Sequence, residues 1–192
     1  MTIDPVNHLH ELSAVAARTA EQLAAGIREA TALVQGTVAA GGTLLFCGNG
    51  GSAADAQHMA TEYVVRYQRA RRPLRAIALT TDTSLLTAAA NDFSFEDVFS
   101  RQVTALGRPG DLLILHTTSG NSANCLRAVA AAREIGVRTL ALTAKDGGKI
   151  RSMVDCCLVV PTERTDRAQE IHLAIQHAIC DVVDAAVAAS EA

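Results

Sequence analysis

The stretch Thr43-Leu44-Leu45-Phe46-Cys47-Gly48-Asn49-Gly50-Gly51-Ser52 decides the reading of the fold. Five residues suited to a buried strand run straight into a glycine-rich turn. A helical pattern follows from about Ser52 to Tyr67. The same unit recurs outward from it. Ala76–Thr80, Asp111–His116, Arg138–Thr143 and Asp155–Pro161 are four more short apolar runs, and helical stretches lie between them, notably Ser122–Ile135. Strands that are apolar throughout need cover on both faces, and alternation with helices supplies it. The expectation is an α/β fold: a three-layer sandwich with a five-stranded parallel sheet between helices.

Upstream of Gly41-Gly42, residues 1–40 read as a helical arm, with Leu9, Leu12, Val15, Ala16, Leu23, Ile27, Ala30 and Val34 at three- and four-residue steps. Downstream, Thr165 to about Ala188 reads as one long closing helix. No Pro/Gly/Ser-rich linker divides the chain, so all 192 residues are expected to form a single domain.

Bulk properties narrow the function. About half of the residues (49%) are apolar and the net charge is −3, a globular composition without the basic footprint of a nucleic-acid binder. No stretch is judged long and apolar enough to span a bilayer, and the N-terminus lacks the apolar core of a secretory signal. Five cysteines, two of them adjacent and none in a C-x-x-C pair, are expected to be reduced thiols of a cytoplasmic protein rather than zinc thiolates.

Ligands of open α/β sheets bind beyond the carboxyl ends of the strands. Two loops there carry chemistry. Thr117, Thr118, Ser119 and Ser122 place four hydroxyls in six residues at the start of a helix, where free N–H groups and the helix dipole favour an anion. That is a cradle for a phosphate monoester; helix capping by Ser119 or Ser122 explains one hydroxyl but not four. The loop Gly48–Ser52 lets backbone approach a ligand. It lacks the Gly-Lys-Ser/Thr end of a Walker loop and the third glycine of G-x-G-x-x-G, which disfavours nucleotides.

On the following helix His58 and Glu62 share a face at i, i+4, a spacing that serves a metal, a proton shuttle or a plain solvated pair. The closing helix carries Asp166, Gln169, Glu170, His172, Gln176 and His177. Gln169 and His177 fall about 80° apart on the helix wheel and could face one site. Spacing alone leaves His177 reading as a core histidine, and it cannot bring Glu62 and His177 together.

The segments CGNGGSAADAQH, ALTTDTSLLTAAANDFSFEDVFSRQV, TSGNSAN, AAREIGV, LTAKDGGK and DRAQEIHLAIQH, in this order and spacing from Cys47 to His177, resemble the SIS-fold phosphoheptose isomerases. The resemblance implies an SIS-type sandwich that converts sedoheptulose 7-phosphate to D-glycero-D-manno-heptose 7-phosphate for heptose biosynthesis. It implies sugar contacts from Asn49, Gly50, Gly51, Ser52, Asn91 and Asp92, and phosphate contacts from Thr117, Thr118, Ser119 and Ser122. Zinc would be held by His58, Glu62, Gln169 and His177. Glu62 and His177 would be the acid/base pair, with Asp166 as a further active-site carboxylate and Arg66 nearby. Thr117 replaces a common serine, and Met59-Ala60-Thr61 precede Glu62 where an acidic or glycine step is familiar. A relative that binds the bacterial replication initiator without catalysis is the alternative; this chain keeps the full His/Glu/Gln/His set that such a relative lacks.

The closing helix is apolar almost all round and must be covered on more than one side. With the family resemblance, this leads to the expectation of a homotetramer whose sites are completed across subunits, with a small phosphosugar as ligand and neither nucleic acid nor membrane as partner.

Overall fold

The computed structural model describes residues 4–191. Its element order is α1 (Pro5–Gln22), α2 (Ala24–Ala39), β1 (Leu44–Gly48), α3 (Gly51–Val64), β2 (Ala76–Ala78), α4 (Thr83–Asp92), α5 (Ser100–Leu106), β3 (Leu112–His116), α6 (Ala123–Glu134), β4 (Arg138–Ala144), β5 (Cys156–Val160) and α7 (Thr165–Ser190). The five strands form one parallel sheet in the order β2-β1-β3-β4-β5.

The strands are buried on both faces because alternate residues serve two cores. Leu44, Phe46, Leu112, Ile114, Leu140, Leu142 and Leu158 face α2, α3 and α7. Leu45, Cys47, Leu113, Leu115 and Ala141 face the layer of α4, α5 and α6. Each fully buried large aliphatic side chain contributes about 1.5–3 kcal/mol relative to exposure, so the twin cores fix both the sheet and its register.

At the amino ends of the strands, carboxylates close the backbone ledger. Asp111 accepts the amides of Thr43 (2.6 Å) and Arg108 (2.9 Å). Asp155 accepts the Thr139 amide and hydroxyl, each at 2.7 Å.

Two expectations are corrected and a third is refined. The N-terminal arm is helical, as expected, but in two parts: Leu23 (φ −106°, ψ 9°) leaves helical geometry between α1 and α2. No proline marks the break; tertiary packing sets it. Gly26 brings α2 so close to β5 that a Cβ there would stand 2.9 Å from Leu158 Cδ2, while α1 runs on against α7. The helix after the first loop stops at Val64, short of Tyr67. The Arg71 guanidinium takes the carbonyls of Glu62 (2.8 Å) and Tyr63 (2.9 Å) and bonds Asp184 of α7 (2.9 Å). Finally, α7 is long and apolar enough by composition to cross a bilayer, contrary to the sequence reading. It is a core helix: Ile171, Ile175, Ile179, Cys180 and Val183 are buried in the core that also holds Leu140 and Leu158 of the sheet.

Candidate functional site

The carboxyl ends of β1 and β3 open into a cavity of about 310 Å³. It is lined by Asn49, Gly50, Gly51, Ser52, His116, Thr117, Thr118, Ser119, Ser122, Thr165 and Gln169. Both loops singled out in the sequence therefore meet in one place.

Their meeting is held by specific bonds. The carboxamides of Asn49 and Asn124 exchange reciprocal hydrogen bonds of 2.9 and 2.8 Å, tying the first loop to the first turn of α6. Behind the hydroxyl loop, residues 146–150 act as a brace. Lys149 N donates to Asn121 Oδ1 (3.1 Å) and Ile150 N to Gly120 O (3.0 Å). Gly120 has φ +63°, and a Cβ there would stand 2.0 Å from Gly147 O, so no other residue fits.

Capping does not consume the hydroxyls. Ser122 is the N-cap residue of α6, yet its side chain makes no capping bond. Thr117 Oγ1 is buried without a partner. Ser119 Oγ alone is engaged, accepting the Asn121 amide at 3.2 Å. Free hydroxyls beside the first-turn amides of α6 make a cradle of neutral donors, chemistry that would suit an anion.

A second cluster lies further along α3 and α7. His58 Nε2 and His177 Nε2 approach to 3.0 Å, and Glu62 Oε1 is 3.4 Å from His58 Nε2. Tyr67 stacks on His177 with centroids 5.5 Å apart. Burial and the neighbouring His58 hold His177 below the ordinary imidazole range, against the opposing pull of Glu62. His177 is thus a partly exposed member of this polar cluster and not a core histidine.

Gln169 sits at the other end of the groove. Its carboxamide packs on Gly51, where a Cβ would meet it at 2.6 Å. Seven residues of α3 separate Gly51 from His58 and eight of α7 separate Gln169 from His177. At about 1.5 Å per residue these are spans of about 10 and 12 Å. His58 thus meets Glu62 on one side and His177 on the other, and Gln169 lies with the cavity.

For zinc, the donor set of two imidazole nitrogens and one carboxylate oxygen is chemically apt. The observed separations of 3.0 and 3.4 Å are close to the ~3.4 Å that tetrahedral bonds of about 2.1 Å impose between ligands. Among the described residues, no three His, Cys, Asp or Glu side chains are already converged as a metal cage.

Other implied residues stand apart. Asn91 and Asp92 end α4, hydrogen-bonded to each other at 2.8 Å. Asp92 lines a different groove with Phe93 and Arg101. Asp166 is bound by Arg164 (Nε 3.1 Å) and by the Arg167 amide (2.9 Å), and Arg164 holds its carboxyl well below the usual carboxylate range. Arg66 is exposed just beyond α3.

The sequence reading missed Asp55. It lies one helical turn from both Gly51 and His58, its Oδ2 buried without a partner, and burial lifts its carboxyl to about 6 against the pull of His58. Its i, i+4 and i, i+3 spacing from those two residues was the available signal.

The profile of the SIS domain family matches residues 7–144. The phosphoheptose isomerase of Paramagnetospirillum magneticum is 57% identical over 152 residues, covering 79% of each chain. That of Rhodospirillum rubrum is 51% identical over 164 residues, covering 85% of this chain and 87% of the relative. Among solved structures, the phosphoheptose isomerase of Neisseria gonorrhoeae superposes with a TM-score of 0.88 at 46% identity, covering 94% of this chain and 96% of that one. That of Francisella tularensis gives 0.92 at 36% identity, covering 96% and 99%. With the two loops joined over one cavity, the imidazole pair beside it and this extent of likeness, the chain belongs to the SIS-domain family and, within it, to the phosphoheptose isomerases.

Proposed function

We propose that the chain isomerises sedoheptulose 7-phosphate to D-glycero-D-manno-heptose 7-phosphate in heptose biosynthesis. The observation that carries this reading is the set of unengaged hydroxyls at the start of α6, in a cavity whose Gly51 and Gln169 stand about 10–12 Å along α3 and α7 from His58 and His177. At about 1.2 Å of reach per bond, the eight bonds from C1 of a heptulose to the phosphorus at C7 cover about 10 Å. A phosphate in the cradle thus sets the carbonyl end at the imidazole pair and supplies orientation.

There Glu62 removes the C1 proton of the ketose while His177 gives a proton to O2, forming the enediol. Glu62 then delivers its proton to C2, and His177 takes the proton from O1, leaving the aldehyde at C1. Burial and the neighbouring His58 lower the basicity of His177, so its conjugate acid gives up a proton more readily than an ordinary imidazolium. His58, Glu62 and His177, joined by Gln169 if its carboxamide swings from Gly51, are the residues that would hold zinc. Bound there, zinc would supply Lewis-acid polarisation of the substrate oxygens.

A homotetramer accompanies this reading. Ala174, Ala178, Val182 and Ala186 form an exposed apolar stripe on α7 at four-residue spacing, and Val64 and Val65 are exposed at the end of α3. A neighbouring subunit would cover them and could bring Asn91 and Asp92 to a cradle that their own chain keeps them from. Free thiols at all five cysteines suit a cytoplasmic setting. The non-catalytic alternative is not favoured, since the relatives described above are phosphoheptose isomerases and His58, Glu62, Gln169 and His177 are all retained.

Incubation with sedoheptulose 7-phosphate, followed by NMR with and without added zinc, tests the activity; formation of an aldoheptose 7-phosphate is expected, and a folded protein without turnover would refute it. Light scattering after size exclusion tests the assembly: a monomer of about 20 kDa, active at high dilution, would refute it.

A further inference from the structure

Beneath the cradle, between the sheet and α7, lies a polar layer that the mechanism does not use. His116, His172 and Gln176 are fully buried. His116 Nε2 is 3.4 Å from Gln176 Nε2. His172 Nε2 is 3.0 Å from the Thr143 carbonyl, to which it donates. The His116 ring lies parallel to Phe46 (centroids 6.3 Å, 7°) and tilted against His172 (6.3 Å, 35°). His116 Nδ1, His172 Nδ1, Gln176 Oε1 and the adjoining Thr117 Oγ1 have no partner.

This layer is an expensive way to fill space. Each unpartnered buried polar atom costs about 1–3 kcal/mol, and an apolar pair of similar shape would be at least as stable. Burial drives His116 down to about 3 and His172 to about 4, so both rings are neutral at any physiological pH and neither gains from charge. A contact retained at such cost calls for another role, and position in the chain supplies one. His116 directly precedes Thr117, Thr118 and Ser119. Gln176 directly precedes His177. Among the described residues, theirs is the side-chain hydrogen bond that joins β3 to α7.

We propose that His116 and Gln176 are positioning residues: a neutral strut that couples the phosphate-binding loop to the helix bearing His177. The inference rests on the isomerase reading for its catalytic consequence but not for its mechanical one. A phosphate drawn into the loop moves the end of β3, and the strut passes that movement to α7.

Two measurements test it. In the first, His116→Leu, Gln176→Met and the double variant are compared for turnover of sedoheptulose 7-phosphate and for Tm. Each single variant leaves one partner orphaned, so it should lose stability and about ten- to a hundredfold in kcat/KM, with both kcat and KM affected. The double variant should regain the Tm of the parent protein and not its kcat/KM. Recovery of both together, or parental kinetics in the single variants, would make the pair merely structural and overturn the proposal. The second measurement needs no turnover. Inorganic phosphate fills the loop but is too short to reach His177, about 12 Å along α7 from Gln169. Titrating it into the parent protein should shift the His177 ring resonances, and the shift should vanish in the double variant. Resonances that stay still in the parent protein, or a shift that survives in the double variant, would overturn the coupling even if the isomerase activity is present; absence of turnover with the expected shifts would instead refute the isomerase reading alone.

Discussion

The two ends of the sheet are built to opposite standards. At the amino ends, polar groups are satisfied: Asp111 takes two backbone amides, and Asp155 takes an amide and a hydroxyl. At the carboxyl ends, Thr117 Oγ1, His116 Nδ1, Gln176 Oε1 and Asp55 Oδ2 are buried and unpartnered, and the Ser122 hydroxyl declines the helix cap. One end uses its polar groups for stability, and the other leaves several of them without a protein partner. Substitutions at the first should therefore move Tm, and at the second should move kinetics.

The largest contrast should come from Glu62→Gln and His177→Gln. Both keep size and polarity at partly exposed positions, so Tm should change little, while kcat falls by at least about a hundredfold. Normal turnover in either variant would remove that residue from the acid/base roles. Next comes Asp111→Ala at the opposite end. It orphans the buried Thr43 amide and the Arg108 amide and should cost about 3 kcal/mol by denaturant unfolding, with kcat per folded molecule preserved. A Tm unchanged by this loss would break the comparison from its structural side.

Ser119→Ala with Ser122→Ala should raise KM for the phosphorylated sugar by about tenfold with little effect on stability, because Ser122 caps nothing and Ser119 holds one exposed amide. An unchanged KM would move the phosphate elsewhere. The smallest effect is expected at Asp55. Its carboxyl titrates near 6, above the ordinary 3.8, so the folded state favours the protonated form. That contribution is complete below pH 4 and is lost as pH rises through 6. Asp55→Asn should thus gain on the parent protein in Tm between pH 4 and 6.5 and level off above; a difference that is flat with pH would mean that Asp55 finds a partner in the folded protein.

The contiguous parts of this architecture were legible in the sequence. Apolar runs such as Leu112–Leu115 are buried strands because no polar alternation offers them a wet face. Thr117–Ser122 read as an anion site because all its donors lie in one loop at one helix start. The strand ends needed only adjustment by a residue or two, Ala76–Thr80 shortening to Ala76–Ala78. The break at Leu23 was not legible, since no residue there forbids a helix; the docking of α2 against Leu158 imposes it. Nor was the role of Arg71. Arg71 is the buried clamp that caps α3 behind Glu62 and pairs with Asp184. Burial pushes the Asp184 carboxyl up, but the Arg69 and Gln68 amides and Arg71 outweigh it and hold it below the usual carboxylate range.

What the sequence by itself determined was the repeating strand-and-helix order, the burial of the strands, the two ligand loops and the shared helical face of His58 and Glu62. All of these follow from local periodicity and from chemistry carried within about ten residues. Only the tertiary structure decided that His177 meets His58, that Asn49 pairs with Asn124, that Gln169 packs on Gly51 beside the cradle, and that Asn91 and Asp92 lie away from it. Those pairings depend on how one helix is set against another. That setting is chosen by the packing of two whole cores across the sheet, where shifting a helix by one residue turns each side chain by about 100°.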